Sequence, residues 1–212
     1  DPYEVSIDHF LDISFDFNIN PCTAILGQFN RTTGSYHVFD VVMANAQTMT
    51  GLSPLQAVCK QIVNKYVNTG KVIKNRIRIT GDASRKAGSA DRQEARSFYY
   101  TIVRELELNQ TQVVLRGSNP THVYSVQTIN YALSCLPDSM ILLHSTYELT
   151  DDIRHAYMVD RSLDKAKKEH GLHVLDAWRY LMDFWFSYHG GRFVTDDKTV
   201  QRFIDSLCKR AV

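Results

Sequence analysis

Long apolar runs and targeting signals are missing from this chain of 212 residues. No stretch approaches the roughly 18 consecutive apolar residues that a membrane-spanning helix needs, and no basic segment followed by an apolar run opens the N-terminus. Internal repeats and low-complexity tracts are also absent, which argues against a solenoid and against disorder. The sequence therefore predicts a soluble, non-secreted protein with a packed core.

Cysteine and glycine are sparse, and neither forms a functional motif. The four cysteines lie far apart with no CxxC pair, which excludes the usual zinc clamp and dithiol chemistry and predicts reduced thiols. Gly190-Gly191 is the only glycine doublet, and no GxxxxGK[ST] phosphate loop occurs, so the sequence does not predict a nucleotide-hydrolysing site. The cysteines are Cys22, Cys59, Cys135 and Cys208.

Excess charge of one sign is lacking too, since the formal net charge is +1. A polyanionic partner would therefore have to be bound by local basic clusters. Arg85, Lys86, Arg92 and Arg96 form one such cluster, and the first three are candidate DNA-contacting residues. The second cluster, within residues 165–168, is more typical of a solvated helix face.

Of the residues present, 44% are hydrophobic and 22% charged, which suits one domain spanning 1–212. The run HFLDISFD (9–16) predicts a central strand that ends in a carboxylate. CTAILGQFN (22–30) and YHVFDVVMA (36–44) flank a turn-like segment, and we expect them to continue the first strand as an antiparallel meander.

The rest of the chain alternates between helical and strand-like periodicity. A helix opens at Ser53-Pro54 and extends to Gly70, and NRIRIT (75–80) predicts a strand that leads directly into Asp82. Such alternation predicts an α/β fold with a mixed sheet, parallel strands beside the meander, and helices on both faces. The remaining predicted elements are helices near 90–108, 121–135, 150–158 and 173–188, and strands at 112–116 and 140–145.

Asp16 and Asp82 both follow directly on strands, where functional groups of open α/β sheets usually lie. An isolated buried carboxylate is costly, and a divalent cation is one way to neutralise it. A single aspartate at a strand end more often caps a turn. Two of them together favour a metal site.

A third acidic candidate lies in the helix predicted for HVLDAWRYLMDFWF. Its apolar stripe leaves His173 and Asp176, three residues apart, on one flank, from which both side chains can reach one ion. An ion pair between Asp176 and Arg179, with a solvent-facing His173, is the structural alternative. Three aspartates of this kind suit phosphodiester hydrolysis with two Mg²⁺ or Mn²⁺ ions, for which Asp16 is our candidate bridging ligand.

Four segments of the sequence resemble the C-terminal nuclease domain of the large terminase subunits of tailed bacteriophages. That resemblance implies an RNase H-like (retroviral-integrase-like) fold and a metal-dependent endonuclease that cuts concatemeric double-stranded DNA during genome packaging. The order and spacing of the segments carry the likeness more than any single one. They are ISFDFNINPCTAILGQ (13–28), ITGDASRKAGSA (79–90), SNPTHVYSVQTINYAL (118–133) and HVLDAWRYLMDFW (173–185).

The resemblance assigns the family's three acids to Asp16, Asp82 and Asp176, and a histidine found in some members to His173. Many relatives have glycine where this chain has Arg85, and the added basic charge favours phosphate contact. The resemblance also implies a packaging ATPase domain, absent here, a portal and a small terminase subunit as partners, and a location in the host cytoplasm and at the procapsid portal.

Other functions are also compatible with these residues. A Holliday-junction resolvase or an RNA–DNA hybrid ribonuclease would use the same fold and acids. An actin-like or sugar-kinase-like nucleotide binder would also place an aspartate near its first strand, but it needs the glycine-rich loops that are missing. A non-catalytic module that docks onto a portal or capsid protein would use the aspartates only as turn caps.

Overall fold

The computed structural model of this chain describes residues 3–18, 20–46, 51–83, 98–135, 141–144, 146–159, 162–164 and 172–189. Strands in these ranges are β1 (Leu11–Asp16), β2 (Cys22–Asn30), β3 (Ser35–Ala44), β4 (Ile77–Gly81), β5 (Ile141–Leu143), β6 (Tyr157–Val159) and β7 (Ser162–Asp164). Helices are α1 (Pro54–Ile62), α2 (98–105), α3 (His122–Cys135), α4 (Tyr147–His155) and α5 (His173–His189).

Five strands form one mixed sheet in the order β4-β1-β2-β3-β5. The first three strands are an antiparallel meander, as predicted, whereas β4 lies parallel to β1 and β5 lies parallel to β3. Strands β6 and β7 form a separate antiparallel pair. No helix in the described ranges is long and apolar enough to span a membrane.

Helices cover both faces of the sheet because residues in β1 alternate between them. Leu11, Ile13 and Phe15 pack in the core cluster that includes residues of α1 and α2. The intervening positions carry polar side chains, and the Ser14 hydroxyl donates a 2.7 Å hydrogen bond to the Ala177 carbonyl of α5. The central strand thus has an apolar face toward α1 and a polar face beneath α5.

Three predicted elements differ in extent or type from those observed. Only Val113 of the predicted strand 112–116 bridges to the sheet, because Asn109 and Gln112 cap a 3-10 turn at Gln110–Gln112 instead. The helix predicted at 150–158 lies at Tyr147–His155, and its expected last turn forms β6. Aromatic and β-branched residues such as Tyr157 and Val159 favour a strand. The helix predicted from Ser53 begins with Ser53 as N-cap and Pro54 as first residue, as expected, and the structure adds a capping box with Gln56; beyond Ile62 it continues as a π-helical turn.

A buried ion pair joins β1 to β4 on the polar face. Asp12 lies directly opposite Arg78 in the parallel register, and its carboxylate accepts hydrogen bonds from Arg78 Nε at 2.6 Å and Nη2 at 2.9 Å. Tyr36 donates a third hydrogen bond to Asp12, and the Arg78 guanidinium stacks over the Phe184 ring of α5. Burial raises the pKa of Asp12 although Arg78 opposes the shift. This pair holds the two strands in a single register.

We expect Arg78→Met to destabilise the protein by about 3–5 kcal/mol, because removing one partner leaves the Asp12 carboxylate buried and unpaired. Urea unfolding measures this change. The matched control is Arg76→Met, since Arg76 pairs at 3.3 Å with the exposed Asp8 and such a pair contributes at most about 1 kcal/mol. Equal losses in the two variants would contradict the structural role of the Asp12–Arg78 pair.

Candidate metal centre

Two of the predicted acids lie side by side at the carboxyl ends of β1 and β4. Phe15 is opposite Gly81 in the parallel register, and the backbone N–H of Asp82 donates a 2.9 Å hydrogen bond to the Phe15 carbonyl. Asp16 is the last residue of β1, and Asp82 follows directly after β4. Their placement at one sheet edge therefore follows from the pairing of β1 with β4.

A glycine permits this close approach of the two strands. Gly81 has φ +139°, a conformation that L side chains rarely adopt, and a Cβ atom there would lie 2.3 Å from the Phe15 carbonyl oxygen. Any other residue would force β4 away from β1 next to the two aspartates. Gly81 is thus needed for β1 and β4 to lie close together where Asp16 and Asp82 are placed.

Helix α5 brings the third acid over the end of β1. Its first turn is held in place by Asp152 of α4, whose carboxylate accepts a 3.0 Å hydrogen bond from the Leu175 N–H. His173 and Asp176 lie in this turn, where the partial positive charge of the helix N-terminus favours nearby carboxylates. The packing of α5 on the polar face of β1 therefore places Asp176 on the same side of the sheet as Asp16.

Each carboxylate has protein partners. His173 Nδ1 lies 3.2 Å from Asp16 Oδ2 and 2.8 Å from Asn18 Nδ2, and the Asn18 amide also donates to Asp16. Asn119 donates a 2.5 Å hydrogen bond to Asp82 Oδ1. Asp176 accepts a 2.5 Å hydrogen bond from Arg179 Nη1, so the ion pair considered as the structural alternative does form. Each of the three acids is thus held by at least one side chain from elsewhere in the fold or from its own helix.

The charges of the three carboxylates shift the pKa values of the same neighbouring groups. Burial raises the pKa of Asp16, which is 5% exposed, and the charges of Asp176 and Asp82 raise it further, whereas His173 opposes them. The pKa of the Tyr180 hydroxyl is raised by burial and then by all three carboxylates. Negative charge is therefore concentrated at one partly desolvated position between β1, β4 and α5.

The donor set suits a hard divalent cation, because carboxylate oxygens are the ligands that Mg²⁺ and Mn²⁺ prefer. Within the part of the chain that is described, no three His, Cys, Asp or Glu side chains are already gathered as ligands of a single ion. Each of the three carboxylates also accepts a hydrogen bond from an internal donor, which is Asn18, Asn119 or Arg179.

The structure brings the four candidates Asp16, Asp82, Asp176 and His173 to one end of the sheet, and their role as metal ligands stays a prediction. The three basic candidates Arg85, Lys86 and Arg92 lie outside the described residues. Four further acids, which the sequence does not rank, have other surroundings or contacts: Asp152 caps α5, Asp183 pairs with Arg116 at 3.5 Å, Asp151 pairs with His155, and Glu148 lies in the first turn of α4.

Several residues at the site are not predicted from sequence patterns. Asn18, Asn119 and Tyr180 have no distinctive spacing from the acids, because each reaches the site through tertiary packing. The Asn119-Pro120 dipeptide between two periodic segments offers the only usable signal, and it indicates a turn without indicating its neighbours. Tyr99 is similar: its hydroxyl donates a 3.0 Å hydrogen bond to the Asp82 carbonyl.

Solved structures of bacteriophage large terminases have the same fold as this chain. A large terminase from a thermophilic bacteriophage, solved in complex with ATP-gamma-S, aligns with a TM-score of 0.58 at 16% identity, over 86% of this chain and 40% of that protein. The P22 large terminase nuclease domain aligns with a TM-score of 0.53 at 12% identity, over 91% of this chain and 87% of that domain. The chain has the fold of a large terminase nuclease domain.

The large terminase nuclease from the thermophilic phage G20c, solved with bound magnesium, aligns with a TM-score of 0.50 at 12% identity, over 85% of this chain and 84% of that one. Neither a protein-family model nor a curated protein matches the sequence. The likeness to terminase nuclease domains confirms the predicted RNase H-like fold. The chain spans about two fifths of the length of the large terminase solved with ATP-gamma-S.

Gly81→Ala should destabilise this terminase-like fold by more than about 1 kcal/mol, because the added Cβ collides with the backbone at Phe15 and φ is unfavourable. Thermal unfolding measures the loss. Gly117→Ala is the matched control: a Cβ there meets nothing within 4 Å, so a change within about 0.5 kcal/mol is expected. If Gly81→Ala were as harmless as Gly117→Ala, the close approach of β1 and β4 would be wrong.

Asp16→Asn should stabilise the metal-free protein at neutral pH, because the variant keeps a side-chain acceptor while removing a buried, repelled charge. The pKa of Asp16 is raised in the folded state, so ionisation of this carboxyl opposes folding as the pH rises. The difference should shrink as the pH falls toward the ordinary aspartate pKa of about 4. Urea unfolding in chelator at both pH values tests this, with the exposed Asp8→Asn as control. A variant less stable than wild type at neutral pH would contradict the expectation.

Proposed function

We propose that this chain is a metal-dependent endonuclease that cuts double-stranded DNA during viral genome packaging. The observation that carries the proposal is the convergence of Asp16, Asp82 and Asp176, from β1, β4 and α5, on one desolvated position where all three raise the pKa of Tyr180. The terminase-like fold supports it, and so does the magnesium bound by the G20c nuclease of the same fold.

In this proposal Asp16, Asp82 and Asp176 would hold two Mg²⁺ or Mn²⁺ ions. The ions would supply an activated water and stabilise the departing oxygen of the phosphodiester. The protein's own side chains hold this arrangement together. The contact of His173 Nδ1 with Asp16 orients the imidazole, which can then act as an additional ligand or accept a proton.

The proposed substrate is duplex DNA bound with little base specificity, because phosphate contacts position a nuclease without carrying sequence information. Arg85, Lys86 and Arg92 are the proposed phosphate contacts. As a packaging nuclease spanning residues 1–212, the chain would act with an ATPase domain, a portal and a small terminase subunit. It would work in the host cytoplasm and transiently at the procapsid portal.

Asp82→Ala tests the proposal most directly. We expect Mn²⁺-dependent cleavage of linear duplex DNA to fall by at least about 100-fold, because one carboxylate of the ion cluster is lost. Gel analysis of cleavage products measures the rate. Asp8→Ala is the matched control, since Asp8 is exposed and precedes β1 at the end opposite the site, and it should cut like wild type.

Three further measurements separate this function from its alternatives. Faster cleavage of a four-way junction or an RNA–DNA hybrid than of linear duplex would identify a resolvase or a hybrid ribonuclease. A non-catalytic docking module would show neither cleavage nor an increase in the unfolding midpoint on adding Mn²⁺, because only a ligand that binds the folded state raises it. Undiminished cutting by Asp82→Ala, with folding verified by circular dichroism, would overturn the assignment of the site.

A further inference from the structure

One dipeptide outside the three acid-bearing elements contacts two of them. Asn119 and Pro120 lie between the 3-10 turn at Gln110–Gln112 and helix α3. The Asn119 side chain binds the segment that follows β4, and the Pro120 carbonyl binds a side chain of α5. The dipeptide therefore links the elements that carry Asp82 and Asp176.

The contacts of Asn119 define the orientation of its amide. Its Oδ1 accepts a 2.6 Å hydrogen bond from the Ala83 N–H, and its Nδ2 donates a 2.5 Å hydrogen bond to Asp82 Oδ1. Reversing the amide would bring two acceptors together at Asp82 and two donors together at Ala83, so one orientation alone satisfies both. Asn119 thus holds both the Asp82 carboxylate and the backbone of the next residue.

Pro120 reaches the other acid through an arginine. Its carbonyl accepts a 3.1 Å hydrogen bond from Arg179 Nη2, while Arg179 Nη1 binds Asp176. Arg179 is 2% exposed, so its guanidinium is shielded from the water that would weaken this ion pair. The position of Asp176 relative to the dipeptide is therefore restrained by two directional hydrogen bonds.

The dipeptide is itself anchored on both sides. Upstream, the Val114 N–H donates a 2.8 Å hydrogen bond to the Ile79 carbonyl of β4. Downstream, Thr121 caps the start of α3 by accepting a 3.3 Å hydrogen bond from the Tyr124 N–H. A loop fixed at both ends can transmit a defined position to the side chains it binds.

We infer that Asn119 is a positioning residue that holds Asp82 ready to bind a divalent cation, while Pro120 and Arg179 do the same for Asp176. The inference rests on the nuclease function proposed above. Carboxylate ligands of metal ions are themselves held by hydrogen bonds, and loss of such a partner typically weakens metal affinity or activity about 10- to 100-fold. Asn119 is a better position for substitution than Arg179, because its side chain is only partly buried and its loss disturbs the core less.

The test compares Mn²⁺ binding and cleavage in wild type and Asn119→Ala. Calorimetry on the DNA-free protein should give a Kd for Mn²⁺ that is about 10- to 100-fold higher in the variant. Half-maximal cleavage should require correspondingly more Mn²⁺, and saturating Mn²⁺ should restore most of the rate. We also expect the unfolding midpoint of metal-free Asn119→Ala to equal that of wild type. If Asn119 served folding alone, its loss would instead lower that midpoint.

Two further variants keep the test independent of misfolding. Asn119→Leu retains side-chain volume but makes neither hydrogen bond, and it should weaken Mn²⁺ binding as Asn119→Ala does. Asn75→Ala is the matched control, because Asn75 is exposed in the turn at Lys74–Arg76, at the opposite end of β4 from the site. It should bind Mn²⁺ and cut DNA like wild type.

The outcomes distinguish this inference from the proposed function. A wild-type protein that binds Mn²⁺ and cuts DNA, with weaker binding in both Asn119 variants, supports the inference. Wild-type cleavage together with unchanged Mn²⁺ binding in both variants overturns the role of Asn119 and leaves the nuclease function standing. A wild-type protein that neither binds Mn²⁺ nor cuts DNA overturns the proposed function, and the inference with it.

Discussion

The parallel pairing of β1 with β4 is the constraint on which the rest of the site depends. A buried ion pair between Asp12 and Arg78 fixes the register on the polar face, because a slip of β4 by one residue would turn Arg78 toward the apolar core and away from Asp12. Gly81 then allows the two strands to approach closely at their carboxyl ends. Asp16 and Asp82 become neighbours as a result, although they lie far apart in the chain.

Gathering carboxylates in this way is electrostatically unfavourable, and the surrounding residues offset part of the cost. Asn18 and His173 contact Asp16, Asn119 binds Asp82, and Arg179 pairs with Asp176. Burial first, and then the neighbouring carboxylates, raise the pKa of Asp16 and of Tyr180. A site preorganised by neutral amides and one guanidinium, with charge still in excess, suits the binding of divalent cations.

The likeness to terminase nuclease domains and the geometry of the site support the proposed function in different ways. At 12–16% identity the three solved structures compared above share the fold of this chain, and a fold alone hosts many activities. The chemistry is argued from the site, where three hard oxygen donors from separate elements share one region with His173. The two arguments meet on the same residues, because the aspartates assigned through resemblance are those that converge in space.

The sequence by itself determined the meander and most of the helices, because period-2 and period-3.6 patterns depend on local chemistry, and strand-end aspartates made the three acids candidates. The predictions were wrong for the segment 112–116 and for the last turn of the helix at 150–158, where a capped turn and a short strand pair compete with the apparent periodicity. Only the tertiary structure decided which distant residues hold those acids. Asn119 contacts Asp82, and Arg179 contacts Asp176. These contacts depend on how loop, sheet and helix pack together, and such packing produces no periodic pattern in the sequence.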